Sequence, residues 1–451
     1  MWRRGLGTGA VVVAALLLAA CGGGGSGPAS RGSGPAIRDS GSLGAATGSP
    51  AVDRDHRTRP RLTAPQRLDR ALAAALIPAG AHTGAEVASL GGGSGLQFAE
   101  RASTRRPPAS VEKLYTTISA LRLLGPGARL QTDVLGVGHL SRGGTWVGDL
   151  YLRGGGDPTF GDGGFQRIYE RGLGGDIGVL ARQLHTRGIR RVSGQVIGDE
   201  SLFDRGRGGP ASKLEADIPD FGGQLSALTF DHGTTTGLLS PGAFAARELV
   251  LTLKGAGIRA RSAPGTARAP RSGRRLAAVS SPPVHSLLSL MNVPSDDLFA
   301  EMLTKQLGVR FGGHRGTIAA GARVISHEIG LLGLRPQIVD GSGLARTDST
   351  SPADVVSLLR SVWETPAGRV LAGSLPVVGE TGTVRLIAAR TVAAGRCIGK
   401  TGTLNGVTNL AGYCRTRHGH NDAFAVFIDG PDNERALSVI SRFVLTLVRT
   451  G

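Results

Sequence analysis

Lysine is nearly missing from this chain. Of 52 basic residues in 451, five are lysine (Lys113, Lys213, Lys254, Lys305 and Lys400), so the formal net charge of +18 is almost wholly an arginine charge. No arginine-rich block is interleaved with aromatics, which make up only 4% of the sequence, so nucleic acid is not expected as a partner. An anionic envelope surface, or a plain bias toward Arg, Ala and Gly, accounts for the charge as well. Cysteine is scarce too, at three residues, and the ten histidines form no ligand-spaced cluster; neither a metal nor an organic cofactor is expected. Long apolar runs are absent. The unbroken stretch from Ala10 to Ala20 is too short to span a bilayer as a mature helix.

That short run has a compartmental reading. It follows the basic start Met1-Trp2-Arg3-Arg4 and ends in Leu18-Ala19-Ala20-Cys21, which resembles the lipobox of bacterial lipoproteins. The resemblance implies a signal peptide over 1–21 and a lipid on Cys21, the only membrane attachment expected; the alternative is an ordinary secretory or periplasmic signal with an incidental cysteine. Either way the mature protein is exported. Residues 22–66 are rich in Gly, Ser and Pro with few large apolar side chains, the composition of a flexible tether.

Periodicity beyond the tether predicts a sheet covered by helices. Leu68 to Leu76 reads as a helix, Ala85–Leu90 and Gly95–Glu100 as a hairpin, and Leu114–Leu124 as a second helix starting near Ser110 after Pro107-Pro108. Short alternating strands follow at 130–135, 147–153 and 192–199, with helical runs near 177–185 and 244–254. Residues 131–281 therefore read as an inserted mixed α/β region, with 264–275 as a basic surface connection. Helical patterning resumes at Val284 and includes Asp297–Leu307. The clearest hairpin turns at Asn405-Gly406, a two-residue turn of the favoured type. About that turn residue i faces 811 − i, which pairs Cys397 with Cys414 and predicts a disulfide in an oxidising compartment. Ala423–Gly430 adds a strand and Ala436–Val448 a closing helix.

Three short stretches carry the chemistry. Ser110-Val111-Glu112-Lys113 places a hydroxyl and an amine three residues apart on one helix face, where a neutral lysine can take the proton a weak serine nucleophile must lose. Ser295-Asp296-Asp297 stands at the head of a helix, and Lys400-Thr401-Gly402-Thr403 lies on the strand entering the hairpin. S-x-x-K, S-D-N and K-T-G in this order are the signature of penicillin-binding proteins and class A β-lactamases. The middle motif departs from it: Asp297 stands where Asn is usual and lacks the NH₂ donor.

With Leu150–Thr159, Asp340-Gly341-Ser342-Gly343-Leu344, and Lys400 through Tyr413, the chain resembles the class C, type-4 low-molecular-mass penicillin-binding proteins, D-alanyl-D-alanine carboxypeptidases and endopeptidases, over about 67–450. The resemblance implies an α/β (α+β) fold of the serine β-lactamase/transpeptidase type. Residues 67–130 plus 282–451 would form the catalytic domain, and the 185 residues from Ser110 to Ser295 leave room for the insertion. It further implies that Ser110 attacks the penultimate D-Ala carbonyl of a peptidoglycan stem peptide ending in D-Ala-D-Ala, with Lys113 as base. Ser295 would relay the proton from Lys113 to the leaving nitrogen. Lys400 would supply positive potential for that relay and for the terminal carboxylate, which Thr401 and Thr403 would bind, and Asp297 would line the substrate position. Gly402 would let the backbone approach the ligand, and the amides of Ser110 and Thr403 would form the oxyanion hole. β-Lactams would acylate Ser110 as inhibitors. Asp157 and Asp340, in turn sequences, read as structural, and Glu380-Thr381-Gly382-Thr383 as a mimic of the third motif without its cation. Two other functions share the scaffold: a β-lactamase or esterase, and a catalytically silent protein that binds cell-wall peptides.

Overall fold

Strand Asn421–Asp429 shows how the sequence builds its sheet. Phe424, Val426 and Ile428 point into one apolar core and Ala423, Ala425 and Phe427 into another, the period-two alternation of a strand buried on both faces. In the computed structural model, which describes residues 62–91, 95–208, 223–236, 238–313, 316–430 and 432–451, this strand is central. The signal peptide 1–21 with Cys21, and residues 22–61 of the tether, lie outside the described residues. Residues 61–451 form one compact unit.

In chain order the strands are β1 (Thr83–Ser89), β2 (Leu96–Glu100), β3 (Gln131–Leu140), β4 (Thr145–Arg153), β5 (Arg191–Val192) and β6 (Val196–Asp199). They continue as β7 (Ser262–Thr266), β8 (Arg274–Ser280), β9 (Cys397–Leu404), β10 (Val407–Arg415) and β11 (Asn421–Asp429). The first sheet has the order β2-β1-β11-β10-β9, antiparallel throughout. Helices Ala64–Leu76 and Asn433–Thr450 cover one face through Leu68, Leu72, Phe443 and Leu447; Lys113–Leu123, Val284–Asn292, Asp297–Phe311 and Pro352–Val362 pack on the other. The first of these helices takes in the end of the expected tether, because Thr63 and Gln66 form a reciprocal capping box around its first turn.

β9 and β10 pair about Asn405-Gly406 in the expected register: Lys400 faces Ala411, and Cys397 faces Cys414, to which it is disulfide-bonded. β9 is the edge strand; its start is bonded on the outer side by Val378 N to the Cys397 carbonyl and by Gly399 N to the Pro376 carbonyl, and the outer side beyond Gly399 is left for other partners.

The second sheet lies wholly between Gln131 and Ser280, in the order β7-β6-β4-β3-β8 with β5 beside β4. Two expectations are corrected here. The strand read over 192–199 is broken into β5 and β6, and the connection read over 264–275 begins as β7, parallel to β6, and ends in β8. Strands of two to five residues with parallel partners carry too few alternations to stand out in sequence.

Candidate active site

Two departures from helical geometry build the site. Pro107 and Pro108 keep the preceding backbone out of the helix, and Ala109 takes a left-handed φ of 46° before a 3₁₀ turn over Ala109–Glu112 that runs into helix Lys113–Leu123. Ser295, between helices Val284–Asn292 and Asp297–Phe311, is also left-handed, at φ 70°. Each such non-glycine residue costs about 1–3 kcal/mol, and one adjoins or forms each of the first two motifs.

The first turn brings Lys113 Nζ to Ser110 Oγ, to which it donates at 3.0 Å. The same nitrogen donates to Asp297 Oδ1 at 2.5 Å and to the Ser342 carbonyl at 2.8 Å. Lys400 Nζ, fully buried, donates to Ser295 Oγ at 2.7 Å and to the Thr401 carbonyl at 3.0 Å. Two lysine-serine pairs therefore stand side by side, and Asp297 joins the first.

Several expected roles shift. The helix cap is Asp296, whose Oδ1 accepts from Phe299 N at 2.9 Å, so Ser295 is not spent on capping. Ser295 is held by Lys400, and Lys113 by Ser110, Asp297 and Ser342, so the direct Lys113-to-Ser295 relay has no hydrogen bond behind it in this state. Asp297, expected to line the substrate, gives Oδ1 to Lys113; its side chain is 17% exposed. Gly402 has its space taken by the protein itself: a Cβ there would collide with the Pro108 carbonyl and crowd Val111 N, so the glycine seats β9 against the serine turn. The third-motif mimic is also a neighbour, since Thr401 Oγ1 donates to Thr383 Oγ1 at 2.7 Å. Thr403 is exposed at the strand edge.

Residues without a motif hold this geometry. Asn409, opposite Gly402 on β10, donates to the carbonyls of Pro107 and Pro108, both at 2.9 Å. Asp340 accepts from Ser342, Gly343 and Ala345 N, the structural role expected of it, and Glu301 accepts from Gly341 and Ser342 N; together they aim the Ser342 carbonyl at Lys113. Asp157 is buried away from solvent, with Oδ1 taking Thr159 N and Oγ1. From the second-sheet region His232 bonds Asp296 Oδ2 at 2.6 Å, and a cavity of about 260 Å³ opens beside it, lined by Glu170, Arg171, Pro294 and Phe299 among others. No sequence signal points to Asn409, whose partners lie far from it along the chain.

Burial dominates the electrostatics. It raises the Asp297 carboxyl above the ordinary range, against the attraction of Lys113. Burial and then the Lys113 charge hold Lys400 well below an ordinary lysine, with Asp297 opposing. Behind Lys113, Glu112 is pushed well up by burial and by Asp348, Asp340 and Glu301. Among the described residues no group of three or more His, Cys, Asp or Glu is placed to hold a metal ion.

The profile of the D-Ala-D-Ala carboxypeptidase 3 (S13) family matches residues 66–243 and 237–449. The chain belongs to this family. Its relatives include a D-alanyl-D-alanine carboxypeptidase from Actinomadura sp. strain R39, 26% identical over 420 residues, covering 74% of this chain and 73% of the relative. The carboxypeptidase DacB of Mycolicibacterium smegmatis is 29% identical over 358 residues, with 74% of each chain covered. The fold is similar to that in the crystal structure of penicillin binding protein 4 (dacB) from Haemophilus influenzae, at TM-score 0.70 and 20% identity, covering 82% of this chain and 97% of that one. The chain is thus a hydrolase of the D-Ala-D-Ala carboxypeptidase family with a mixed α/β fold like that of penicillin binding protein 4.

Proposed function

We propose that this chain is a serine-type D-Ala-D-Ala carboxypeptidase, with endopeptidase action on the same bond type, cleaving peptidoglycan stem peptides through an acyl-enzyme on Ser110. The observation that carries this reading is the meeting of Ser110, Lys113, Ser295 and Lys400 at the part of the β9 edge beyond Gly399 in a member of the S13 family. A peptide laid along that edge adds a strand, with its main chain on β9 and its terminal carboxylate toward Lys400, Thr401 and Thr403. Ser110 attacks the carbonyl of the penultimate D-Ala as its proton passes to Lys113. The amides of Ser110 and Thr403 stabilise the oxyanion, and the leaving nitrogen takes a proton from the Lys113, Ser295 and Lys400 group. Water then hydrolyses the ester.

Residues 67–130 plus 282–451 serve as the catalytic domain and 131–281 as an insertion whose His232 reaches the second motif. The protein works outside the cytoplasm, with Cys21 as its lipid anchor and the chain from residue 22 up to the cap of the Ala64–Leu76 helix as the spacer. Among the described residues no helix is long and apolar enough to cross a membrane. A Haemophilus influenzae relative has been crystallised with a β-lactam, which supports β-lactams as inhibitors here.

Intact-mass spectrometry of residues 62–451 with benzylpenicillin tests the reading. A persistent adduct of the whole β-lactam mass on the Ser110 peptide, absent from Ser110→Ala, is expected. Hydrolysed drug without an adduct indicates a β-lactamase, and intact drug without an adduct indicates a silent binding protein.

A further inference from the structure

An ammonium has three protons, and Lys113 Nζ has three acceptors: Ser110 Oγ, Asp297 Oδ1 and the Ser342 carbonyl. With a proton on each, the nitrogen has no lone pair to offer the serine. One proton must leave before Lys113 can act as a base. The amide carbonyl of Ser342 is too weakly basic to keep it, and Ser110 has its own proton to lose. Asp297 is the one partner that can hold it. The Asn usual at this position could not, because an amide oxygen accepts a hydrogen bond without taking the proton.

We propose that Asp297 is the internal proton store for Lys113, a role that rests on the acyl-transfer reading above and is particular to the Asp in this motif. The Nζ–H bond toward Oδ1 breaks and an O–H bond forms on Asp297, leaving a neutral amine beside a neutral acid. Ser110 Oγ then bonds to the substrate carbonyl carbon while its proton moves to the Nζ lone pair, and the carbonyl electron pair goes to the oxyanion. When the oxyanion collapses, the C–N bond breaks and the leaving nitrogen takes a proton from Lys113. Asp297 returns its proton to Lys113 after deacylation, so no proton is exchanged with solvent to prepare the base.

The groups around the pair support this. Lys400 on β9 feels both members: burial and then the Lys113 charge lower it, and Asp297 opposes them. Asp296 and Glu301 lie on or next to the helix that carries Asp297, Glu112 in the turn before Lys113, and Asp340 and Asp348 in the loop around Ser342. Burial raises Glu112, Glu301 and Asp348 with Asp297, while Asp340 is occupied by backbone N–H groups. The site therefore favours neutral acids over a further buried anion.

The test is the rate of acylation by benzylpenicillin from about pH 5 to about pH 10 for the unsubstituted protein and for Asp297→Asn, whose folding is checked by thermal melting. The unsubstituted protein should show a flat profile across neutrality, because the proton moves between two protein groups. Asp297→Asn should be slower at neutral pH and rise about tenfold per pH unit through neutrality, because the proton that leaves Lys113 must go to solvent. Parallel profiles for the two proteins overturn the proposal. If the variant does not fold, the first profile decides alone, since a tenfold-per-unit rise through neutrality in the unsubstituted protein also overturns it. Absence of acylation at every pH defeats the acyl-transfer reading itself, a different failure.

Discussion

At position 402 a methyl group would meet the Pro108 carbonyl, Val111 N and the Ala109 side chain, all in the turn that presents Ser110. Gly402→Ala must therefore push β9 away from the nucleophile or distort the turn. We expect it to lower stability by about 1–3 kcal/mol, as overpacking does. Benzylpenicillin acylation should slow by about tenfold to a hundredfold, because small displacements of a reacting group are amplified in rate. Denaturant titration and adduct kinetics read the two effects separately, and a variant that labels at the unsubstituted rate would show that the turn tolerates the shift. Individual residues were legible where chemistry is local. Ser110 and Lys113 declare themselves by their spacing, and Lys400 by its motif in a chain with so few lysines. Asn409, Thr383 and the Ser342 carbonyl do not, because each is delivered by a contact with sequence-distant chain. The left-handed Ala109 and Ser295 are silent as well, since tertiary packing rather than residue type forces them.

The β9–β10 hairpin is the element on which the third motif is mounted. Its turn, register and cysteine pair were all readable, because a two-residue turn determines every partner along both strands. β7 and the break between β5 and β6 were not readable, as parallel pairing is set by other chain segments. Since Asn405-Gly406 already secures the register, the disulfide should stabilise the hairpin more than it shapes the site. Its cysteines are 17 residues apart. On the chain-entropy account a loop of that size contributes about 3 kcal/mol. Replacing both with serine should lower denaturant stability by about that amount while leaving acylation at low temperature within about threefold, a bound set by retained positioning. A large loss of acylation with unchanged stability would place the cysteines in the chemistry.

For the whole molecule, the number of buried acids makes stability depend on pH in an unusual direction. Glu170, buried near Asp157, Asp296 and Asp231, is pushed up from 4.5 to about 10, and Glu112, Glu301 and Asp348 are also raised. An unfolded carboxyl loses its proton near its ordinary value while the folded one keeps it. The folded state then binds more protons between the two values, and each group's contribution, complete below about 4.5, is lost as pH rises through the folded value at up to about 1.4 kcal/mol per unit. Lys400, lowered in the folded state, opposes this only where its own proton is lost on folding. Urea midpoints should therefore fall steadily from about pH 5 to about pH 9. A flat or rising curve would mean that these acids are ionised in the native protein.

The same hairpin has a consequence for how the chain matures. With Cys21 taken up by the lipid in the reading proposed above, Cys397 and Cys414 are the two thiols left of three cysteines, and they meet through a loop that can close before any distant part of the molecule has folded. Oxidation of the newly exported chain is then a local event with one favoured product, and the protein should reach its native disulfide without help from a disulfide isomerase.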